Sequence, residues 1–73
     1  MTLYTKLGCS LCTKAKLLLL EAGLEFSEVN VLEDAELTER YQFEIPVLVS
    51  SDGRELMKGA FSAARVASLV AQS

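Results

Sequence analysis

The feature that most constrains the fold is the order of three short segments at the start of the chain. Residues 2–6 are rich in strand-forming side chains, residues 10–22 contain neither glycine nor proline, and residues 26–31 again favour a strand. Gly8 permits a turn into the middle segment, and Gly23 is placed to end it. Because the middle segment has helical periodicity, this order predicts two parallel strands joined by a right-handed helical crossover.

The predicted helix over residues 10–22 has one apolar face. Its side chains recur at i, i+4, i+7, i+8 and i+11, the spacing of residues that share one side of a helix. We expect this face to be buried and to include Leu11, Ala15, Leu18, Leu19 and Ala22, widened by Leu17 and Leu20.

The second half of the chain predicts a short helix, a β-hairpin and a last helix. Asp34 and Ser62 are suited to cap the two helices, and Asp52-Gly53 is a strong hairpin signal. The predicted elements are a helix over 35–41, strands over 47–49 and 55–57, and a last helix with Val66, Leu69 and Val70 inward. The whole order, β-α-β-α-β-β-α, predicts an α/β fold with a four-stranded mixed sheet flanked by helices, in a single domain over residues 1–73.

Length and composition exclude several classes of protein. A chain of 73 residues holds one small domain. It has no histidine, so it contains neither a Ser-His-Asp triad nor a Cys-His pair, and its two cysteines are too few for a structural zinc site. No apolar run approaches the roughly 20 residues of a membrane span, and no signal-peptide pattern is present. We therefore expect a cytoplasmic protein with no metal and no membrane partner.

The formal net charge of −3 conceals a strong segregation along the chain. Residues 1–20 carry three lysines and no acid, whereas residues 21–44 carry eight acids against one arginine. Such an acidic domain offers no phosphate-binding stripe, so we expect no nucleic-acid partner. Both cysteines lie in the positive segment, where Lys6, Lys14 and Lys16 have no acid near them in the sequence.

The cysteines, Cys9 and Cys12, enclose only Ser10 and Leu11. A disulfide closing so short a loop would contribute about 2 kcal/mol to stability and would join no distant elements. At the start of a helix the two residues share one face, with Cα atoms about 5 Å apart, a distance that a disulfide can bridge. This placement indicates a redox pair; a shared metal site and inert thiols are the alternatives.

The expected position also gives the two cysteines different roles. The unpaired N–H groups and positive end of a helix favour a thiolate at its first residue, and the three lysines add positive charge. We therefore expect Cys9 to attack a substrate disulfide. Cys12, less exposed and closer to an ordinary thiol, is expected to resolve the mixed disulfide.

Three segments carry a family resemblance: residues 4–12, 40–48 and 52–56. Their sequences, Tyr-Thr-Lys-Leu-Gly-Cys-Ser-Leu-Cys, Arg-Tyr-Gln-Phe-Glu-Ile-Pro-Val-Leu and Asp-Gly-Arg-Glu-Leu, resemble those of short bacterial glutaredoxin-like proteins. These proteins have the thioredoxin fold and a Cys-x-Leu-Cys site. The resemblance covers nearly the whole chain.

The resemblance implies roles for individual residues. Cys9 matches the attacking cysteine and Cys12 the resolving one. Pro46 matches a cis-proline facing the disulfide, and Ile45 the residue that offers its backbone to a substrate peptide. Lys6 matches a lysine that contacts a glutathione carboxylate, although a generic surface lysine explains it equally well.

The chain also departs from the glutaredoxin pattern. Ser10-Leu11 stands where glutaredoxins commonly have Pro-Tyr, and Gly59-Ala60-Phe61-Ser62 stands where they have Gly-Gly and an acid that hold glutathione. Gly59-Ala60-Phe61 is loosely similar to the Gly-Phe turn of glutaredoxin-like electron donors to ribonucleotide reductase. Phe61 is expected either to line the substrate groove or to close the end of the last helix. The substrate-binding residues implied by the resemblance are Lys6, Ser10, Leu11, Ile45, Pro46, Gly59 and Phe61.

The expected function is a monomeric thiol–disulfide oxidoreductase that reduces protein or glutathione mixed disulfides. Its electrons would come from glutathione or from a thioredoxin-reductase-type flavoprotein, with glutathione as a co-substrate and no bound cofactor. Three alternatives remain. They are a non-catalytic module that uses the Ile45-Pro46 groove, an electron donor to ribonucleotide reductase, and a dimer sharing an iron–sulfur cluster through Cys9 and glutathione.

Overall fold

The computed structural model describes residues 1–71. The last two residues of the predicted domain, 72–73, lie outside the described residues. The order of strands and α-helices is the predicted one, with a 3₁₀ helix added after the second strand. The elements are β1 (Thr2–Thr5), α1 (Ser10–Glu21), β2 (Ser27–Asn30), the 3₁₀ helix (Val31–Glu33), α2 (Ala35–Tyr41), β3 (Val47–Val49), β4 (Glu55–Lys58) and α3 (Ala63–Ala71).

The four strands form one mixed sheet in the order β2-β1-β3-β4. β1 pairs in parallel with β2, placing Leu3 opposite Glu28, and it pairs antiparallel with β3, placing Leu3 also opposite Leu48. β4 is antiparallel to β3, which confirms the predicted hairpin. Because β1 is central, the loop that follows it emerges between the end of β2 and the beginning of β3.

Two apolar clusters hold the helices against the sheet. The first joins β1, β3 and β4 to α1 and α3; the second joins β3 to α2, the 3₁₀ helix and the start of α1. Neighbouring strand residues divide between the clusters, Leu48 entering the first and Val47 and Val49 the second, as the alternation of side chains in a strand requires. The helices therefore cover both faces of the sheet, and the start of α1 lies where the two clusters meet.

Helix α1 is rotated from its predicted orientation. Its buried residues are Cys12, Ala15 and Leu19, whereas Leu11, Leu17 and Leu20 are 43%, 53% and 56% exposed. The prediction that these three leucines belong to the inner face is wrong. The buried stripe is narrow because the sheet and α3 contact only one side of the helix, and Cys12 occupies the place that the apolar pattern gave to Leu11.

The ends of the helices follow the predicted capping residues. Asp34 accepts hydrogen bonds from the N–H groups of Glu36 and Leu37 at 2.9 and 3.2 Å, and Ser62 accepts one from Arg65 at 3.2 Å. Gly23 has φ of 75°, a left-handed conformation that glycine adopts readily after a helix. Several boundaries differ from the prediction by one residue, since β1 ends at Thr5, α1 at Glu21 and β4 at Lys58. β2 spans only Ser27–Asn30, because Val31 belongs to the 3₁₀ helix.

None of the helices in the described part of the chain has the length and apolar character needed to cross a membrane.

The rotation of α1 predicts different costs for two leucines of the same helix. Leu19 is completely buried in the first cluster, so Leu19→Ala should lower the free energy of unfolding by about 2–5 kcal/mol. Leu17→Ala removes the same atoms from an exposed position and should change it by less than about 0.5 kcal/mol. Chemical denaturation of both variants measures the difference. Equal losses would contradict the observed orientation of α1.

Candidate active site

Cys9 is the N-cap residue of α1, as its position in the sequence predicts. Its Sγ accepts a hydrogen bond from the backbone N–H of Cys12 at 3.2 Å, and its carbonyl accepts one from the N–H of Thr13 at 3.2 Å. The side chain is partly exposed. The sulfur therefore lies at the positive end of a helix, where it is bonded to a backbone N–H and open to solvent.

Cys12 lies one turn further along α1 and is a free thiol with 4% of its surface exposed. Burial is the main reason that the pKa of its thiol rises from 9.0 to about 12. Its hydrogen bond to Cys9 and the negative charges of Cys9 and Glu28 also raise the pKa, and the backbone N–H of Lys6 lowers it. The expectation of low exposure is confirmed, but the expectation of an ordinary thiol is wrong.

The β3 side of the cysteines is formed by the cis peptide bond between Ile45 and Pro46. The cis geometry confirms what the resemblance implied. Both side chains are buried, and the N–H of Gly59 donates to the Pro46 carbonyl at 3.0 Å. The Ile45 N–H already donates to the Tyr41 carbonyl at 3.1 Å. Within residues 1–71 no hydrogen bond reaches the Ile45 carbonyl, so the backbone that Ile45 can offer a peptide is this carbonyl alone.

Tyr41 holds this loop in place from α2. Its ring stacks on the Tyr4 ring of β1 at 4.7 Å between centroids and an interplanar angle of 20°. Its carbonyl accepts the N–H groups of Glu44 and Ile45 at 2.8 and 3.1 Å. The end of α2 is therefore tied both to the central strand and to the segment before Pro46, which fixes the β3 side of the site.

The β2 side of the cysteines is different, because it is a polar cavity of about 690 Å³. It lies at the carboxyl ends of the parallel strands β1 and β2, which lead into helices on opposite faces of the sheet. This is the place where open α/β sheets commonly form a crevice. Its lining residues are Thr5, Lys6, Leu7, Gly8, Cys9, Ser10, Cys12, Thr13, Lys16, Glu28, Asn30 and Glu33.

A charge pair forms one wall of this cavity. Lys16 Nζ lies 2.9 Å from Glu28 Oε1, and Thr5 Oγ1 donates to Glu28 Oε2 at 3.1 Å. The hydrogen bond from Lys16, with the one from Thr5, holds the pKa of Glu28 below its ordinary value. The expectation that no acid offsets the lysines is therefore wrong, since β2 brings Glu28 to Lys16. Lys14 is exposed and does not line the cavity.

The structure brings most of the predicted site residues together around the two sulfurs. Lys6 and Ser10 line the cavity with the cysteines, Leu11 is exposed on the first turn of α1, and the remaining positions lie on the β3 side. Phe61 is the exception. It is 3% exposed in the first cluster, so it closes the core beneath α3 and lines no groove.

Sequence reasoning missed Thr5, Glu28 and Tyr41. Glu28 belongs to the acidic stretch of the sequence, and the signal that could have found it is its position in the strand paired with β1. In the described part of the chain, no group of three or more potential metal ligands is present.

The difference between the two thiols predicts selective alkylation. A limiting amount of iodoacetamide at neutral pH should label Cys9 and leave Cys12 unmodified. A pKa of about 12 in place of 9.0 lowers the Cys12 thiolate population about a thousandfold, and burial restricts access further. Peptide mass spectrometry locates the label. Denatured protein is the control in which both cysteines should react, and comparable labelling of both in the folded protein would contradict the prediction.

Comparison with known proteins agrees with this geometry. Residues 1–71 match the family model described as Glutaredoxin-like domain (DUF836). The chain is also similar to the X-ray structure of a Northeast Structural Genomics target protein from X. campestris. The two are 33% identical with a TM-score of 0.87, and the match covers 99% of this chain and 96% of that one. No curated protein matches the chain. The chain therefore belongs to the glutaredoxin-like domain family (DUF836) and has a thioredoxin-like α/β fold.

Proposed function

We propose that the protein is a thiol–disulfide oxidoreductase in which Cys9 attacks and Cys12 resolves. The observation that carries the proposal is the contrast between the two sulfurs. Cys9 is partly exposed at the end of a helix and accepts a hydrogen bond from the Cys12 N–H, while Cys12 is a buried thiol one turn away. A site built this way gives the two cysteines distinct attacking and resolving roles without a histidine.

The first half of the reaction uses Cys9. Its thiolate attacks one sulfur of a substrate disulfide R–S–S–R′, and a Cys9–S–S–R bond forms as the substrate S–S bond breaks. The electron pair of the broken bond leaves with R′–S⁻, which takes a proton from solvent. The N–H of Cys12 and the positive helix end stabilise the attacking anion.

The second half uses Cys12. Its thiol loses a proton and attacks the Cys9 sulfur, the Cys9–Cys12 bond forms, and R–S⁻ leaves and is protonated. The two cysteines have then given two electrons to the substrate. Glutathione or a thioredoxin-reductase-type flavoprotein returns the electrons by reducing the new disulfide, so the protein needs no bound cofactor. Such a cycle suits a monomer in a reducing compartment such as the cytoplasm.

Contacts on either side of Cys9 favour an extended peptide or a small thiol as the group R. The free carbonyl of Ile45 can accept one N–H from a substrate backbone. Lys6, which has no ion-pair partner in residues 1–71, can bind a carboxylate of glutathione or of a protein substrate. The segment that begins at Gly59 offers a substrate few contacts, because the Gly59 N–H is bonded within the protein and Phe61 is buried.

The proposed roles predict that two matched cysteine variants both lose turnover but that only one of them accumulates a mixed disulfide. With a protein disulfide as substrate and either glutathione or thioredoxin reductase as electron source, Cys9→Ser should abolish turnover. With thioredoxin reductase as electron source and no free thiol present, Cys12→Ser should also stop protein disulfide reduction but accumulate a one-to-one mixed disulfide through Cys9, because no thiol remains to resolve it. Mass spectrometry of the non-reduced protein detects this adduct.

Each cysteine variant serves as the other's control, since both lose one sulfur and serine retains a capping group at position 9. The proposal is overturned if neither electron source supports turnover by the wild-type protein and the Cys9–Cys12 bond does not form at cytosolic potentials. The remaining interpretation would then be a non-catalytic binding module.

A further inference from the structure

The charge pair at the wall of the β2-side cavity has no part in the proposed steps above. Both oxygens of the Glu28 carboxylate are occupied, one by Lys16 Nζ at 2.9 Å and the other by Thr5 Oγ1 at 3.1 Å. Thr5 is 5% exposed and belongs to the central strand. The carboxylate is therefore held in one orientation at a cavity that Cys12 also lines.

Cys12 must lose a proton before it can resolve a mixed disulfide, and although it is 4% exposed it lines this cavity. The charged and titratable groups around it come from every neighbouring element. They are Cys9 and Lys16 of α1, Lys6 before α1, Glu28 of β2, Glu33 of the 3₁₀ helix, and Tyr4 and Tyr41 on the other face. Of the two carboxylates in this lining, Glu28 is the one held in place by Lys16 and Thr5, and its negative charge adds a minor contribution to the raised pKa of the Cys12 thiol.

We propose that this cavity is the path by which the proton leaves Cys12, and that the fixed Glu28 carboxylate slows the resolving step by opposing negative charge on the Cys12 sulfur. The inference rests on the proposed function and concerns what sets the rate of its second step. Glu28 does not touch the reacting sulfurs, so it is a positioning residue that acts through its field and through Lys16.

The balance of the resolving step shows where this field acts. The Cys12 S–H bond breaks, and the proton passes through cavity water to solvent. The Cys12–Cys9 bond then forms as the Cys9–S–R bond breaks, and R–S⁻ leaves and takes a proton. Negative charge thus appears first on the Cys12 sulfur and then on the leaving sulfur of R–S⁻. Glu28 opposes the charge while it is on Cys12. Lys16 offsets part of this field, because its ammonium lies 2.9 Å from the same carboxylate.

The consequence is a longer-lived mixed disulfide at Cys9. During that time a small external thiol, present in excess, can attack the adduct in place of Cys12. Glu28 would therefore divide the reaction between internal resolution by Cys12 and resolution by an external thiol. That division decides whether the protein works as a dithiol or as a monothiol reductant.

The test is Glu28→Gln, which removes the charge while keeping the length of the side chain. In single-turnover reduction of a protein disulfide, the rate of Cys12 attack should rise roughly two- to fivefold, the effect of one partly screened charge. The gain should shrink at high salt. Glu33→Gln is the matched control, because it removes one negative charge from the same cavity without touching Lys16 or Thr5. It should leave the rate unchanged.

A second variant moves the rate in the other direction. Lys16→Met leaves the Thr5 contact but uncovers the Glu28 charge, so resolution should become slower, and adding Glu28→Gln should remove the slowing. A slower Glu28→Gln variant would show that Glu28 accepts the proton itself and would overturn the proposal. A rate equal to that of Glu33→Gln would also overturn it.

The alkylation of Cys12 in a Cys9→Ser background gives a readout that does not depend on turnover. Adding Glu28→Gln to this background should lower the pH at which iodoacetamide labels Cys12, and Glu33→Gln should not. If the wild-type protein forms no Cys9–Cys12 disulfide, the proposed function fails. The alkylation profile still decides whether Glu28 opposes the Cys12 thiolate.

Discussion

The site depends on one hydrogen bond, from the backbone N–H of Cys12 to the sulfur of Cys9. Helix α1 begins with this bond in the place where most helices use a side-chain oxygen. The same residue therefore serves Cys9 twice, since its N–H caps the helix through Cys9 and its thiol lies within hydrogen-bonding reach of the same sulfur. In the proposed reaction, forming the Cys9–Cys12 disulfide removes this thiol donor.

The position of Cys12 follows from the packing of α1. The helix presents a narrow stripe to the sheet, and this stripe begins at Cys12 and continues through Ala15 and Leu19. Small side chains at the first two positions bring the start of the helix close to the second apolar cluster, where Tyr41 and Ile45 lie. A thiol in that environment keeps its proton, because the charged form would lose the solvation that the cluster excludes. Burial thus assigns Cys12 to the second step of the proposed reaction.

Local sequence patterns are sufficient to locate the helices and strands, but not to predict which face of each helix is buried or which side chains pair across the fold. Periodicity located α1, and the capping side chains of Asp34 and Ser62 located the other helices. The leucines of α1 misled the choice of its inner face, since their number conceals which stripe the sheet contacts. The pair of Lys16 and Glu28 depends on the register of β2 beside β1, which the eleven residues between the two do not reveal. The depth of Phe61 likewise depends on how α3 covers the sheet.

The mixed sheet explains why the two sides of the site differ. β2 is parallel to β1, so both strands end at the same edge, and the residues that follow them form a polar cavity beside the cysteines. β3 is antiparallel to β1, so at that edge it begins, and it presents the backbone around the Ile45–Pro46 bond. In the proposed mechanism a substrate segment approaches the β3 side, where a free carbonyl lies, and the Cys12 proton departs on the β2 side. Because the Ile45 carbonyl and the Glu28 carboxylate lie on opposite sides of β1, the charge at Glu28 can regulate the second step without altering the backbone contact that a peptide makes on the β3 side.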